Sequence, residues 1–216
     1  MEQKDPIVFD VDGTLADSVG LFIELGGELL EELGAPPVPE SRVRELMSQA
    51  TPDLLLQMLP EDFPDAKAQV DQLMAQNMGR WRKRYHEETK PLPGALDVVR
   101  ALKSKNYPLG IATSSGRELP FLSSWGIRED FVSIVGREDV ERHKPHPECL
   151  LLSAKNLQVA PERCTYVGDS IVDIRAARAA NMRAIAVSTG TASASSLEKE
   201  QPDALLGNIK ELLEQM

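Results

Sequence analysis

Two aspartates stand at positions 10 and 12, directly after the apolar run Ile7–Phe9, in Asp10-Val11-Asp12-Gly13-Thr14. Residues two apart on an extended chain project to the same side, so both carboxylates face one region. Like charges that close need a cation or a shared proton, and Gly13 allows the turn that follows. A second acidic pair closes another apolar run, in Val167-Gly168-Asp169-Ser170-Ile171-Val172-Asp173. There a structural role competes, because Ser170 with Asp173 three residues on has the makings of a capping box. Thr113-Ser114-Ser115-Gly116 ends a third run; a hydroxyl followed by turning backbone N–H groups suits an oxyanion. Lys144, before Pro145, lies in a loop after a fourth run.

Each of these segments alone has an ordinary explanation as a turn, a loop or a solvated side chain. Together, four carboxylates, one lysine and one hydroxyl lie just past the C-terminal ends of predicted strands, the edge where open parallel sheets bind ligands. Their formal charge is −4 + 1 = −3, and a divalent cation brings it to −1. Oxygen-only ligands point to Mg²⁺, which also favours phosphate oxygens.

The elements that must position these residues are five short apolar runs: Ile7–Phe9, Leu109–Ala112, Val132–Val135, Thr165–Val167 and Ala184–Val187. Continuous apolar runs of that length read as strands buried on both faces. From Pro93 onward they alternate with helical patterns: Ala95, Val98, Val99 and Leu102; Leu150, Leu151, Ala154 and Leu157; and the alanine-rich 171–180. That alternation predicts an α/β fold with a Rossmann-like parallel sheet. Residues 18–90 break the rhythm. Phe22, Leu25, Leu29 and Leu33 form a helical stripe before Gly34, and further helices are expected over 41–49 and about 66–85. An all-helical block over 17–90 is therefore expected to be inserted into a core made of 1–16 and 91–216. Gly26 and Gly27 fall inside its first helix, where close packing, a nearby ligand or a kink would account for them.

The chain has 216 residues, 24 basic and 34 acidic, for a net charge of −10; 42% are hydrophobic. That balance disfavours nucleic acid and anionic membranes as partners. No apolar run is long enough to span a bilayer, and the charged start of the sequence lacks the apolar core of a secretion signal. Cys149 and Cys164 lack CxxC spacing and read as reduced core thiols, so a cytoplasmic location is expected. The basic-aromatic stretch 80–86 reads as a helix face with Trp81 and Tyr85 turned inward, and Thr189–Ser196 as a surface loop. The sequence implies no oligomeric state.

The chain resembles the haloacid dehalogenase superfamily, in the branch with a helical cap after the first motif. The resemblance rests on DVDGTLADS at 10–18, ATSSG at 112–116, KPHPE at 144–148 and VGDSIVD at 167–173, in that order. It is nearest to phosphoglycolate-phosphatase-like hydrolases and implies a Mg²⁺-dependent phosphatase of small phosphorylated metabolites. By that resemblance Asp10 is the nucleophile that forms an aspartyl-phosphate, and Asp12 is the general acid and then the base. Thr113 with the Ser114 N–H holds the phosphoryl group, and Lys144 orients Asp10. Asp10, the Asp12 carbonyl and Asp169 bind Mg²⁺, with Asp173 supporting them. Arg117 is a further candidate for the rest of the substrate.

Departures narrow the resemblance. Asp12 is present where the family's dehalogenases lack a second carboxylate, and phosphonatase-like members, which replace it, fit poorly. Phe22 stands near the place of the histidine usual in sugar-phosphate mutases. Ser48 stands where phosphoglycolate phosphatases often carry glycine. A β-phosphoglucomutase-like mutase or a pyrophosphatase of the same family remains the alternative. Signalling receivers use similar groups, but they are shorter, place the acceptor after a middle strand and have no helical insert. A binding protein that has lost catalysis is disfavoured by the intact motif set.

Overall fold

The computed structural model describes residues 4–47 and 51–216. The chain divides into two compact units, Met1–Asp17 with Lys90–Met216, and Ser18–Thr89.

The first unit is built on a six-stranded parallel sheet of β1 (Ile7–Phe9), β4 (Leu109–Ala112), β5 (Phe131–Val135), β6 (Thr165–Gly168), β7 (Arg183–Val187) and β8 (Ala204–Leu206). A two-residue antiparallel pair, β2 (Ala16–Asp17) and β3 (Lys90–Pro91), stands apart from it. The sheet order β5-β4-β1-β6-β7-β8 is the doubly wound order 3-2-1-4-5-6 when only its own strands are counted. All residues of β1, β4 and β6 are buried, as their unbroken apolar runs require. Helices α5 (Ala95–Ser104), α6 (Pro120–Ser124), α7 (Glu148–Asn156), α8 (Ile171–Ala179) and α9 (Ala194–Lys199) complete the unit. On α5 the expected stripe Ala95, Val98, Val99 and Leu102 is buried. On α7 the expected stripe holds at Leu150, Ala154 and Leu157, but Leu151 faces outward.

Register decides where chemistry can gather. Phe9 pairs with Ile111 on one side and with Val167 on the other. The next residues therefore leave the sheet at one level: the Asp10 N–H donates to Val167 O at 2.8 Å and the Thr113 N–H to Val135 O at 3.0 Å. The chain reverses sides between β1 and β6, the switch point at which such sheets open a crevice.

The second unit is helical: α1 (Val19–Glu32), α2 (Glu40–Leu46), α3 (Thr51–Met58) and α4 (Ala66–Glu88). Its core gathers Leu25, Leu29, Val43, Leu55, Val70 and Trp81, among others. Arg84 pairs with Glu24, Glu28 and Glu88, and Arg80 with Glu32, so these two arginines of 80–86 tie α4 to α1 or to its own next turn. Tyr85 packs on Phe22 with centroids 5.4 Å apart. Nothing crowds Gly26 or Gly27; their nearest neighbours would make at most ordinary contact with an added methyl. Ser48, and the end of the helix expected over 41–49, lie outside the described residues. No helix among the described residues is long and apolar enough to cross a membrane.

Candidate active site

The loop after β1 is folded tightly on itself. Val11 O accepts from the N–H groups of Leu15 and Ala16 at 2.9 and 2.8 Å, and the Gly13 N–H returns to Ala16 O at 2.8 Å. Gly13 has φ +79, and a Cβ on it would stand 2.7 Å from Asp169 Oδ2. Glycine here answers both the backbone conformation and the approach of the second acidic motif.

Asp10 is buried, and its Oδ1 accepts from Lys144 Nζ at 2.7 Å. Among the described residues its Oδ2 accepts no hydrogen bond, so one oxygen is held and the other is uncommitted. Lys144 is also buried and donates to Asp173 Oδ1 at 2.7 Å and to Tyr166 Oη at 2.8 Å. Asp173 Oδ2 accepts from the Ser170 N–H at 3.0 Å and from its hydroxyl at 2.5 Å. The capping box is therefore real, and the same carboxylate holds the lysine. Structural and site roles coincide in Asp173.

Asp169 is fixed from three directions. Thr14 Oγ1 donates to its Oδ1 at 3.1 Å, and the Thr191 N–H and Oγ1 donate to its Oδ2 at 2.7 and 3.0 Å. Thr189 Oγ1 in turn donates to Gly13 O at 2.7 Å. The segment 189–196 is thus not the plain surface loop expected of it. Its first residues brace both acidic motifs, and from Ala194 it is helix α9. A Cβ on Gly190 would overlap the Asp169 carboxylate.

Asp10, Asp169 and Asp173 each offer a carboxylate oxygen within 4.8 Å of the others. Three buried carboxylates and one lysine carry −3 + 1 = −2, which a divalent cation neutralises. Burial pushes Asp10 well above the ordinary carboxylate range; Lys144 opposes this, and the charges of Asp173, Asp169 and Asp12 add to it. Burial, reinforced by Asp173, raises Asp169 to about 7 against the two bonds from Thr191. A donor set of buried oxygens that resist ionisation alone suits a hard cation. Asp173 accepts from Lys144 on Oδ1 and twice from Ser170 on Oδ2, Asp169 also accepts three bonds, and Asp10 accepts one, so Asp10 has the freest lone pairs. The Asp12 carboxylate is not in this group; the expectation there concerns its backbone carbonyl.

Asp12 is half-buried, and its Oδ2 accepts from Ser115 Oγ at 2.5 Å. Thr113 is buried, and its hydroxyl accepts from the Ser115 N–H at 3.1 Å, which closes the turn after β4. The Ser114 N–H has no acceptor among the described residues and can serve an anion. Arg117 is exposed and engaged elsewhere: its guanidinium pairs with Asp139 at 2.8 Å, and its N–H donates to Glu138. Sequence reasoning missed Tyr166, Ser115, Thr14 and Thr191. Ser115 and Thr14 sit inside the motifs themselves. Tyr166 was hidden in an apolar run and Thr191 in a polar one.

Residues 7–187 match the family model described as haloacid dehalogenase-like hydrolase. A phosphoglycolate phosphatase of Nitrosococcus oceani is 31% identical over 221 residues, spanning 98% of this chain and 96% of that one. Among solved structures, a hydrolase from Pseudomonas syringae is 26% identical with a TM-score of 0.82, covering 98% and 97% of the two chains. A β-phosphoglucomutase from Clostridium difficile has a TM-score of 0.80 at 23% identity, covering 97% and 93%, a likeness of fold.

Proposed function

The chain belongs to the haloacid dehalogenase-like hydrolase family, and from that premise we propose that it is a Mg²⁺-dependent phosphatase of small phosphate monoesters. The observation that carries the reading is Asp10: buried, with one oxygen held by Lys144 and the other uncommitted, beside two further carboxylates.

In this reading an Asp10 oxygen attacks phosphorus and the bond from phosphorus to the leaving oxygen breaks. Asp12 gives its proton to that oxygen. Asp12 then takes a proton from water, the water oxygen attacks phosphorus, and the Asp10–phosphorus bond breaks to release phosphate. Splitting one displacement in two lowers each barrier. Thr113 and the Ser114 N–H meet charge on the phosphoryl oxygens, where fixed donors in a dry site are strongest, and Lys144 orients Asp10 and offsets charge. Asp10 and Asp169, with the Asp12 carbonyl, are the residues for Mg²⁺, and Asp173 holds Lys144. When bound, the cation supplies charge neutralisation for an anionic ester. The helical unit is assigned the role of a cap that selects the leaving group and excludes bulk water.

Phosphoglycolate is the first substrate to try, because the relative at 31% identity carries that name. The likeness to the mutase is one of fold, and Phe22, packed on Tyr85, offers no proton acceptor. The test is phosphate release in Mg²⁺ from phosphoglycolate, sugar phosphates, nucleotides and pyrophosphate, each with and without EDTA. Mg²⁺-dependent release from monoesters supports the reading. Conversion of β-glucose 1-phosphate to the 6-phosphate without phosphate release would replace it with the mutase.

A further inference from the structure

Tyr166 is fully buried in β6, two residues before Gly168. A tyrosine there would ordinarily be core, with its hydroxyl satisfied by the nearest carbonyl. Its surroundings are different. Tyr166 Oη lies 2.8 Å from Lys144 Nζ, 2.8 Å from Ala112 O and 3.1 Å from Asp173 Oδ1.

A lysine ammonium has three protons to place. Two go to Asp10 Oδ1 and Asp173 Oδ1, each at 2.7 Å. The third goes to Tyr166 Oη at 2.8 Å, since the Ala112 carbonyl is farther away at 3.3 Å. The hydroxyl accepts from Lys144 and gives its own proton to Ala112 O. That carbonyl belongs to the peptide unit whose nitrogen is that of Thr113. One hydroxyl therefore lies between the lysine on the nucleophile and the strand end that carries the phosphoryl-holding threonine.

We propose that Tyr166 is a positioning residue of the Asp10 site: its hydroxyl holds the Lys144 ammonium against Asp10 and ties it to the peptide leading into Thr113. The catalytic part of this rests on the reading of Asp10 as nucleophile. Without the hydroxyl, the ammonium has one proton unplaced and a bare carbonyl 3.3 Å away. It turns toward Ala112 O and away from Asp10. Mutating an outer partner of metal-site side chains typically costs roughly 10–100-fold in metal affinity or activity, and Tyr166 acts on Asp10 through Lys144.

The test is Tyr166→Phe, which keeps the ring and its packing. In ¹⁵N-lysine-labelled protein, the Lys144 ammonium signal is assigned by its loss in Lys144→Arg. In Tyr166→Phe that signal is expected to shift and to exchange with water at least threefold faster. With p-nitrophenyl phosphate in Mg²⁺, kcat is expected to fall about tenfold or more while KM changes by less than threefold. An unchanged ammonium signal overturns the proposal, and so does an unchanged kcat in an enzyme whose turnover depends on Asp10. If wild type turns over neither p-nitrophenyl phosphate nor any ester of the substrate screen, the functional reading has failed and the ammonium signal alone decides the positioning. Should Tyr166→Phe not fold, the three tyrosines are replaced by 3-fluorotyrosine, which keeps each hydroxyl. The ¹⁹F signal of Tyr166 must then respond to Lys144→Arg, and indifference overturns the contact.

Discussion

Lys144 Nζ lies 2.7 Å from Asp10 Oδ1, with both side chains buried. A buried pair of this kind is weak evidence for stability in itself, but removing one partner leaves the other charge stranded. Lys144→Met strands Asp10 and Asp173 together. It is expected to destabilise the chain by roughly 3–5 kcal/mol and to abolish turnover. Urea denaturation checks the first effect, and an unchanged midpoint would count against the pairing.

In the proposed reading, protons and a cation compete for the same oxygens. Asp169 is raised to about 7, and burial raises Asp10 in the same direction. A carboxyl with a raised folded-state value stabilises the fold below its unfolded value near 4 and loses that contribution as pH rises through the folded value. In EDTA, stability from these two groups therefore falls as pH climbs from about 4 past 7. A cation replaces the protons, so the rise in melting temperature on adding Mg²⁺ should be larger at pH 8 than at pH 5.5. Equal shifts at both pH values would contradict the assignment of Asp10 and Asp169 to the cation.

Thr191 holds Asp169 through its N–H and its hydroxyl. Thr191→Val keeps the shape and the backbone bond and removes the hydroxyl bond. Loss of a group that orients a ligand costs about 10–100-fold in cation affinity. The Mg²⁺ concentration for half-maximal activity should rise about tenfold, with the saturated rate little changed. A titration that matches wild type would show that the 189–191 segment does not support the site.

Gly27 is exposed on α1, with nothing within 4 Å of where its Cβ would stand. No packing or conformational need offsets its helix cost. Gly27→Ala should stabilise the helical unit by about 1 kcal/mol, read by thermal melting. Destabilisation would mean that the position meets a neighbour that the helix surface does not show.

Much of this arrangement was visible in residue types. The runs at β1, β4 and β6 could be read because strands buried on both faces are apolar at every position. β8 was missed because Ala204–Leu206 is short and only Leu206 is buried. In α3, Thr51–Met58, the run of three leucines hides a short helical period, Leu54, Leu55 and Met58, that is buried in the structure. The carboxylates and Lys144 could be placed because strand ends in a parallel sheet share an edge. Their bracing could not: Tyr166 looks like core until its hydroxyl is found on Ala112 O and Lys144 Nζ. Thr191 meets Asp169 across 22 residues of sequence. Arg117 shows the converse. As a cation after a turn that suits an anion it fits a substrate contact, but Glu138 and Asp139, about one strand and turn later, claim it.

In the proposed reaction Asp10 is the group that takes the phosphoryl. Asp10→Asn keeps the size of the side chain and a hydrogen-bonding oxygen while removing the nucleophilic carboxylate. Phosphate release in Mg²⁺ from the best substrate of the screen should fall to background in Asp10→Asn, while the protein retains a cooperative melt. Hydrolysis by Asp10→Asn at a rate near wild type would contradict the role of Asp10 as nucleophile.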